Sequence, residues 1–200
     1  MYFSQPVSRR ALKHTRAIEI EAYRREDDLW DIEARIRDIK TSDTHLATDV
    51  RAAGTPIHDL GLRITITTDF DIVGVEAVSS AVPFPQHCGA ITPDYQKLVG
   101  MNLLKQFRQQ VKAALGGTQG CTHISELTQL LPTAAIQAFA GEVIRINDEQ
   151  ISTSSTTTGN TEVTKQQQPF QLDRCHALRL DGAAVAVFYP RWVKQPGTPQ

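Results

Sequence analysis

The sequence predicts an α+β fold, an antiparallel β-sheet with helices packed on one face. Two observations predict it. The first eighty residues contain apolar residues that alternate with polar ones at period two. The next sixty contain apolar residues spaced by three and four, the period of a helix with one buried face. The 200 residues are read as a single α+β domain, long enough to bury a core.

Residues Thr15 to Asp38 read as the first β-hairpin. Trp30, Ile32, Ala34 and Ile36 alternate with Asp31, Glu33, Arg35 and Arg37, and Glu26-Asp-Asp28 forms the turn. A polar connector runs from Thr41 to Thr55. Leu60, Leu62, Ile64 and Ile66 then alternate with Arg63, Thr65 and Thr67, the clearest strand in the chain. Thr68-Asp69-Phe70-Asp71 turns it, and Ile72 to Val78 returns as its partner. Pro83 and Pro85 end this second hairpin, with Cys88-Gly89 in the loop behind them.

Thr92-Pro93-Asp94 has the form of a helix start, with proline at the first helical position. Leu103, Leu104, Phe107, Val111, Ala114 and Leu115 mark one face of a further helix, which Gly116-Gly117 ends. A last helical region spans about Cys121 to Ala140, with Ile124, Leu127, Leu131, Ala135 and Ala138 inward. Pro132 kinks or restarts it. From Asn147 to Gln168 the composition turns to Ser, Thr, Gly, Asn and Gln, a flexible polar connector. Beyond it, a short C-terminal β segment is expected within 170–193, with Ala183 to Tyr189 as its core.

A net charge of -1 and a pI near 6.6 carry none of the basic footprint of a nucleic-acid binder. Arg9, Arg10, Lys13, His14 and Arg16 are locally basic, but Glu19, Glu21, Glu26, Asp27 and Asp28 follow at once. No apolar run spans a bilayer and no secretory leader is evident, so a cytoplasmic protein without membrane or nucleic-acid partners is expected. Three cysteines far apart in sequence form no disulfide framework. A lone cysteine is more often a buried hydrophobe than a ligand.

Three residues at the edges of predicted elements combine into a candidate metal site: His58, Cys88 and Cys121. His58 and its neighbour Asp59 open the strongest strand, a rigid mount for a ligand. Cys88 precedes Gly89, which admits close approach. Cys121 stands at a helix start, where free N–H groups favour a thiolate. No C-x-x-C pair is present, so position rather than spacing carries this reading. His123 is two residues after Cys121, about 200° around a helix at roughly 100° per residue. It serves as a supporting group or a base, or is simply packed. Cys175-His176 is a separate pair whose side chains point in opposite directions in an extended segment: either one of them reaches the main site, or Cys175 is core and His176 faces solvent.

The stretch from Pro56 to Ala140 resembles the iron–sulfur cluster assembly scaffolds, the IscU-like or NifU N-terminal fold. Pro56-Ile-His58-Asp59 resembles their first ligand element, with histidine for cysteine. Leu62 to Val78 resembles the hairpin, Cys88-Gly89 the second ligand, and Cys121 before Glu126 to Ala140 the third. The resemblance implies metal ligands at His58, Asp59, Cys88 and Cys121, zinc or an iron–sulfur cluster as cofactor, and a protein partner for its transfer. Histidine in place of the first cysteine favours zinc. Gly120 stands where many scaffolds carry a histidine, which His123 replaces or leaves missing. The whole chain also resembles a group of uncharacterised bacterial proteins, a domain of unknown function. The shared words are Leu29-Trp-Asp-Ile-Glu33, His58-Asp59, Gly120-Cys-Thr-His123 and Cys175-His-Ala177. Two rival functions are a thiol enzyme, with Cys121 as nucleophile and a histidine as base, and an adaptor that keeps the fold without the metal.

Overall fold

Strand β2, Trp30–Lys40, sets the fold because its alternation is strict: Trp30, Ile32, Ala34 and Ile36 are all buried. In the computed structural model, which describes residues 3–144 and 168–194, β2 pairs antiparallel with β1, His14–Arg24. The turn between them holds Asp28 in the left-handed region, and Arg25 N–H donates to the Leu29 carbonyl at 2.9 Å. Two short strands follow, β3 (Thr44–His45) and β4 (Val50–Arg51), then β5 (Pro56–Ile66) and β6 (Ile72–Ala81). The four long strands form one antiparallel sheet in the order β1-β2-β5-β6. Both expected hairpins are present, joined through β2 and β5.

The register places like with like. Trp30 faces Ile66, Ile32 faces Ile64, Ala34 faces Leu62 and Ile36 faces Leu60. All eight side chains are buried, each worth roughly 1.5–3 kcal/mol for the larger apolar ones. The next pair on the same face is Asp38 opposite His58. The polar connector at 41–55 contains the small β3–β4 ribbon. Arg51 in it donates to the carbonyls of Pro56 and Val82, at 3.3 and 3.4 Å, and so ties the ribbon to the ends of β5 and β6.

The chain divides into two compact units, Met1–Ala135 and Ile136–Gln200. In the first, helical elements follow β6: α1 (Pro85–Cys88), a 3-10 stretch (Gly89–Leu98), α2 (Phe107–Leu115) and α3 (Thr122–Thr128). The element at Thr92-Pro93-Asp94 is thus 3-10 rather than α, with Pro93 inside it offering no N–H donor. Helix α2 buries Phe107, Val111 and Leu115 at intervals of four, and α3 buries Ile124 and Leu127. A further helix, α4 (Leu131–Phe139), begins beside Pro132, which divides the last helical region as expected. Helix α3 lies against β2 and β5.

The opposite face of the sheet carries Glu19, Glu33, Arg35, Arg63 and Glu76 over an open concavity of about 410 Å³. Arg63 pairs there with Glu33 and Glu76.

In the second unit, Leu172, Leu180 and Val185 form a small cluster, flanked by Leu178, Tyr189 and Trp192. The expected C-terminal strand is not formed. Ala183–Phe188 is helix α5, between a 3-10 turn at His176–Leu178 and another at Pro190–Trp192. Alternating Ala and Val mimics a strand, but three alanines in a row of six are strong helix formers, and the helix buries Val185 completely. The expected connector at 147–168 lies, but for Gln168, outside the described residues. No helix among the described residues is long and apolar enough to cross a membrane.

Candidate metal centre

The candidate site grows out of the sheet register. Arg16 on β1 faces Asp38 on β2, which faces His58 on β5, so three polar side chains form one row across three strands. They occupy the same sheet face as the apolar core and lie just past its end. Helix α3 adds His123 and Glu126 from above.

Local packing sets the start of α3. A Cβ at Gly120 would stand 2.3 Å from the Leu115 carbonyl oxygen, so only glycine lets the chain pass the end of α2. The buried Tyr95 hydroxyl accepts the Cys121 N–H at 3.0 Å. It also lies 2.9 Å from both the Cys121 carbonyl oxygen and Ser125 Oγ. One phenol therefore pins the first turn of α3, and with it His123.

Asp38 is the centre of the cluster, its side chain 5% exposed. Oδ1 accepts Arg16 Nε at 2.8 Å and lies 2.9 Å from His14 Nε2. Oδ2 accepts Arg16 Nη2 at 2.9 Å and lies 3.1 Å from His58 Nδ1. His123 Nε2 stands 3.7 Å from the same oxygen. The two imidazoles stack, with ring centroids 3.9 Å apart and planes tilted by 32°. Arg16 reaches outward as well, donating from Nη1 to Glu126 Oε2 at 2.7 Å.

The charges follow from this geometry. Arg16's paired hydrogen bonds hold the Asp38 carboxyl at about 2, against the opposing effect of burial, with His14 adding to the shift. Burial pushes His58 below the ordinary histidine value, and the neighbouring His123 pushes it further. Burial also pushes His123 down, followed by the positive charge of Arg16. The site thus presents an ionised carboxylate beside two imidazoles biased toward the neutral form, the protonation states that ligate metals.

One carboxylate oxygen of Asp38 and one ring nitrogen each of His58 and His123 lie within 4.8 Å of one another. Of the four residues expected from sequence, this group contains His58 alone. Asp59 points to the opposite face of the sheet, because successive strand residues alternate. There it accepts a two-pronged ion pair from Arg35, at 2.7 and 2.5 Å, which lowers its pKa. Cys88 closes α1 and Cys121 caps α3; both are free, partly exposed thiols, and neither belongs to the donor group. Among the described residues no hydrogen bond joins an imidazole to the Cys121 thiol. Cys175 is exposed and lies with His176 in the second unit.

Asp38, the centre of the cluster, is absent from the residues expected from sequence, yet it has a legible signal. It extends the inward phase Trp30, Ile32, Ala34, Ile36 by one more step, which puts a carboxylate on the buried side of a strand. His123, open in the sequence between a supporting group, a base and a packed residue, lies in the group with Asp38 and His58.

Residues 14–137 match the model of a family described as "Protein of unknown function (DUF2889)". No curated protein matches the chain, and no solved structure does. The match runs from His14 to beyond Glu126 and so includes every residue of the cluster, while Cys175-His-Ala177 falls outside it. On that match, which covers more than half of its length, the chain belongs to the DUF2889 family of proteins of unknown function.

Proposed function

We propose that this protein binds a divalent transition-metal ion, zinc first among them, through Asp38, His58 and His123. The observation that carries the reading is the convergence of one carboxylate and two imidazoles, from β2, β5 and α3, within 4.8 Å. Donors about 2.0–2.1 Å from a tetrahedral zinc lie about 3.3 Å from each other. The spacings of 3.1 and 3.7 Å from Asp38 Oδ2 bracket that value. The two imidazole nitrogens lie within 4.8 Å of each other, so binding calls for a shift of the stacked rings to reach that spacing.

Three protein ligands leave one tetrahedral position open, as in zinc sites that handle substrate rather than those that only brace a fold. A nitrogen and oxygen donor set suits zinc better than an iron–sulfur cluster, which takes thiolates. The scaffold-like order of His58, Cys88 and Cys121 thus supports metal binding less than the Asp38 group does. Arg16 Nε and His14 on Asp38 Oδ1 remain compatible with a metal on Oδ2, and would orient the carboxylate from behind.

A second reading has its own observation. Asp38 Oδ2 accepts from His58 Nδ1 at 3.1 Å, an arrangement that fixes the imidazole with Nε2 as its basic nitrogen. Such a pair transfers protons without any metal.

Metal content after equilibration with zinc and removal of excess, by mass spectrometry, separates the two. About one zinc per chain in the parent protein and none in His123→Ala is the expected result. A parent protein that retains no zinc overturns the metal reading and leaves the Asp38–His58 pair.

A further inference from the structure

We propose that the free edge of the sheet, strand β1, pairs antiparallel with β1 of a second copy of this chain, about a two-fold axis at Ile18. β1 ends the strand order and spans 11 residues in unbroken register with β2, without bulge or proline. Strands commonly run to about five or six residues, and edges left to solvent are shortened, bulged or broken by proline. Among the described residues, no backbone hydrogen bond beyond the β1–β2 ladder involves residues 14–24. The opposite edge is covered. There β6 packs against the 3-10 stretch Gly89–Leu98, and Gln96 Nε2 donates to the Val75 carbonyl.

Charge identifies the occupant. Arg9, Arg10 and Lys13 precede the strand, while Glu19, Glu21 and Glu26 lie toward its far end. A strand that runs from basic to acidic is complementary to its own antiparallel copy. With the axis at Ile18, Thr15 faces Glu21, Arg16 faces Ile20 and Ala17 faces Glu19 of the second copy, and no two like charges stand opposite. An axis at Ala17 would set Arg10 against Arg24, and one at Glu19 would set Glu19 against itself. An axis at Arg16 or at Ile20 opposes Arg16 with itself or with Arg24. Beyond the strand, the same register brings Arg10 alongside Glu26 of the second copy. Both are exposed, and neither has an ion pair among the described residues.

Packing favours the same axis. Leu60, Ile36 and Ile18 form one row across β5, β2 and β1 on the core face. Leu60 and Ile36 are buried, whereas Ile18 and Ile20 are only half-buried. Pairing continues the row into Ile18, Ile36 and Leu60 of the second copy and covers apolar surface that one chain leaves open. The arm before β1 is held in line with it. Thr41 donates from N–H to the Lys13 carbonyl at 3.4 Å and from Oγ1 to the Leu12 carbonyl at 3.0 Å. The interface borders the Asp38 cluster, with Ile20 and Ala22 of the second copy beside Arg16 and His14, but it does not depend on whether that cluster binds a metal.

Sedimentation equilibrium of the full chain, over about a hundredfold range of micromolar concentrations, tests the proposal. A reversible dimer is expected. Arg10→Glu and Glu26→Arg should each weaken it by about tenfold, because each turns the attractive pairs on both sides of the axis into repulsive ones. The chain carrying both reversals should return to within about threefold of the parent. Both side chains are exposed, so neither change disturbs the core. Amide exchange across residues 14–22 should slow as concentration rises, while that across β6 does not change. A chain that stays monomeric throughout overturns the proposal and leaves the edge to a different partner. A dimer indifferent to either reversal overturns it, and so does one that the second reversal fails to restore. Concentration-dependent protection that builds outside β1 and spares it also overturns it.

Discussion

Asp38 and His58 face one another across β2 and β5, at the register position that follows the Ile36–Leu60 pair on the same face. The row that builds the core therefore also builds the site. Three consequences follow for Asp38: its backbone is held by the sheet, its side chain is buried, and its charge is met by Arg16 from β1.

Removing that carboxylate leaves Arg16, His14 and His58 around an empty centre. Breaking a buried pair from one side costs about 3–5 kcal/mol, and the partial exposure of Arg16 reduces this to about 2–3. Asp38→Ala is expected to lower stability by that amount in urea denaturation. Arg16→Gln is expected to cost less, since Asp38 keeps His14 and His58. A cost for Asp38→Ala below about 0.5 kcal/mol would show that the cluster does not hold the sheet edge.

Acid should act on this site in two windows. Asp38 has a folded value of about 2 against an ordinary 3.8. Its contribution is present above 3.8 and is lost as pH falls from there toward 2. His58 and His123 are both lowered from 6.5 in the folded chain. Below 6.5 the unfolded chain takes up their protons first, so stability falls again as pH drops through that value. Denaturation midpoints from about pH 8 to about pH 2 check both windows. Asp38→Asn should flatten the lower one, and His58→Ala with His123→Ala the upper one. A midpoint that rises between pH 7 and pH 5 would contradict the assigned directions.

Asp59 tests the face on which the site lies. It belongs to the Arg35 ion pair on the far side of the sheet, where Arg35 is half exposed. Asp59→Asn should leave zinc stoichiometry unchanged and cost about 1 kcal/mol or less. Loss of zinc in that variant would move the site to the wrong face.

Gly120 and Tyr95 should affect the site without touching it. Gly120→Ala forces a Cβ against the Leu115 backbone. Tyr95→Phe removes the acceptor of the Cys121 N–H, at about 1–3 kcal/mol for a buried group left unpaired. Both should weaken zinc binding through His123, while thermal unfolding stays cooperative. Equal zinc affinity in Gly120→Ala and the parent would detach the helix start from the site.

Much of the fold was legible because β2 and β5 bury one face only, so their alternation survives in the sequence. The helices were legible for the same reason at a different period. The C-terminal segment was not, because Ala183 to Phe188 alternates by residue size alone and fits a strand or a helix. The site was legible in part. His58 was found from its place at the head of β5. Asp59 shares that place at the head of β5 and the scaffold resemblance, but strand alternation turns it to the opposite face, where it pairs with Arg35. Asp38 and His123 become partners of His58 only through strand register and the packing of α3, neither of which a linear reading contains. Cys88 and Cys121 stand out in the sequence as thiols at the edges of predicted elements. The structure uses the backbone of Cys121 to begin α3.

X-ray absorption at the zinc edge of the zinc-loaded protein tests the central claim most directly. A first shell of nitrogen and oxygen alone, at about 2.0–2.1 Å, is the result expected for Asp38, His58 and His123. A sulfur scatterer at about 2.3 Å would contradict it and return the site to Cys88 and Cys121.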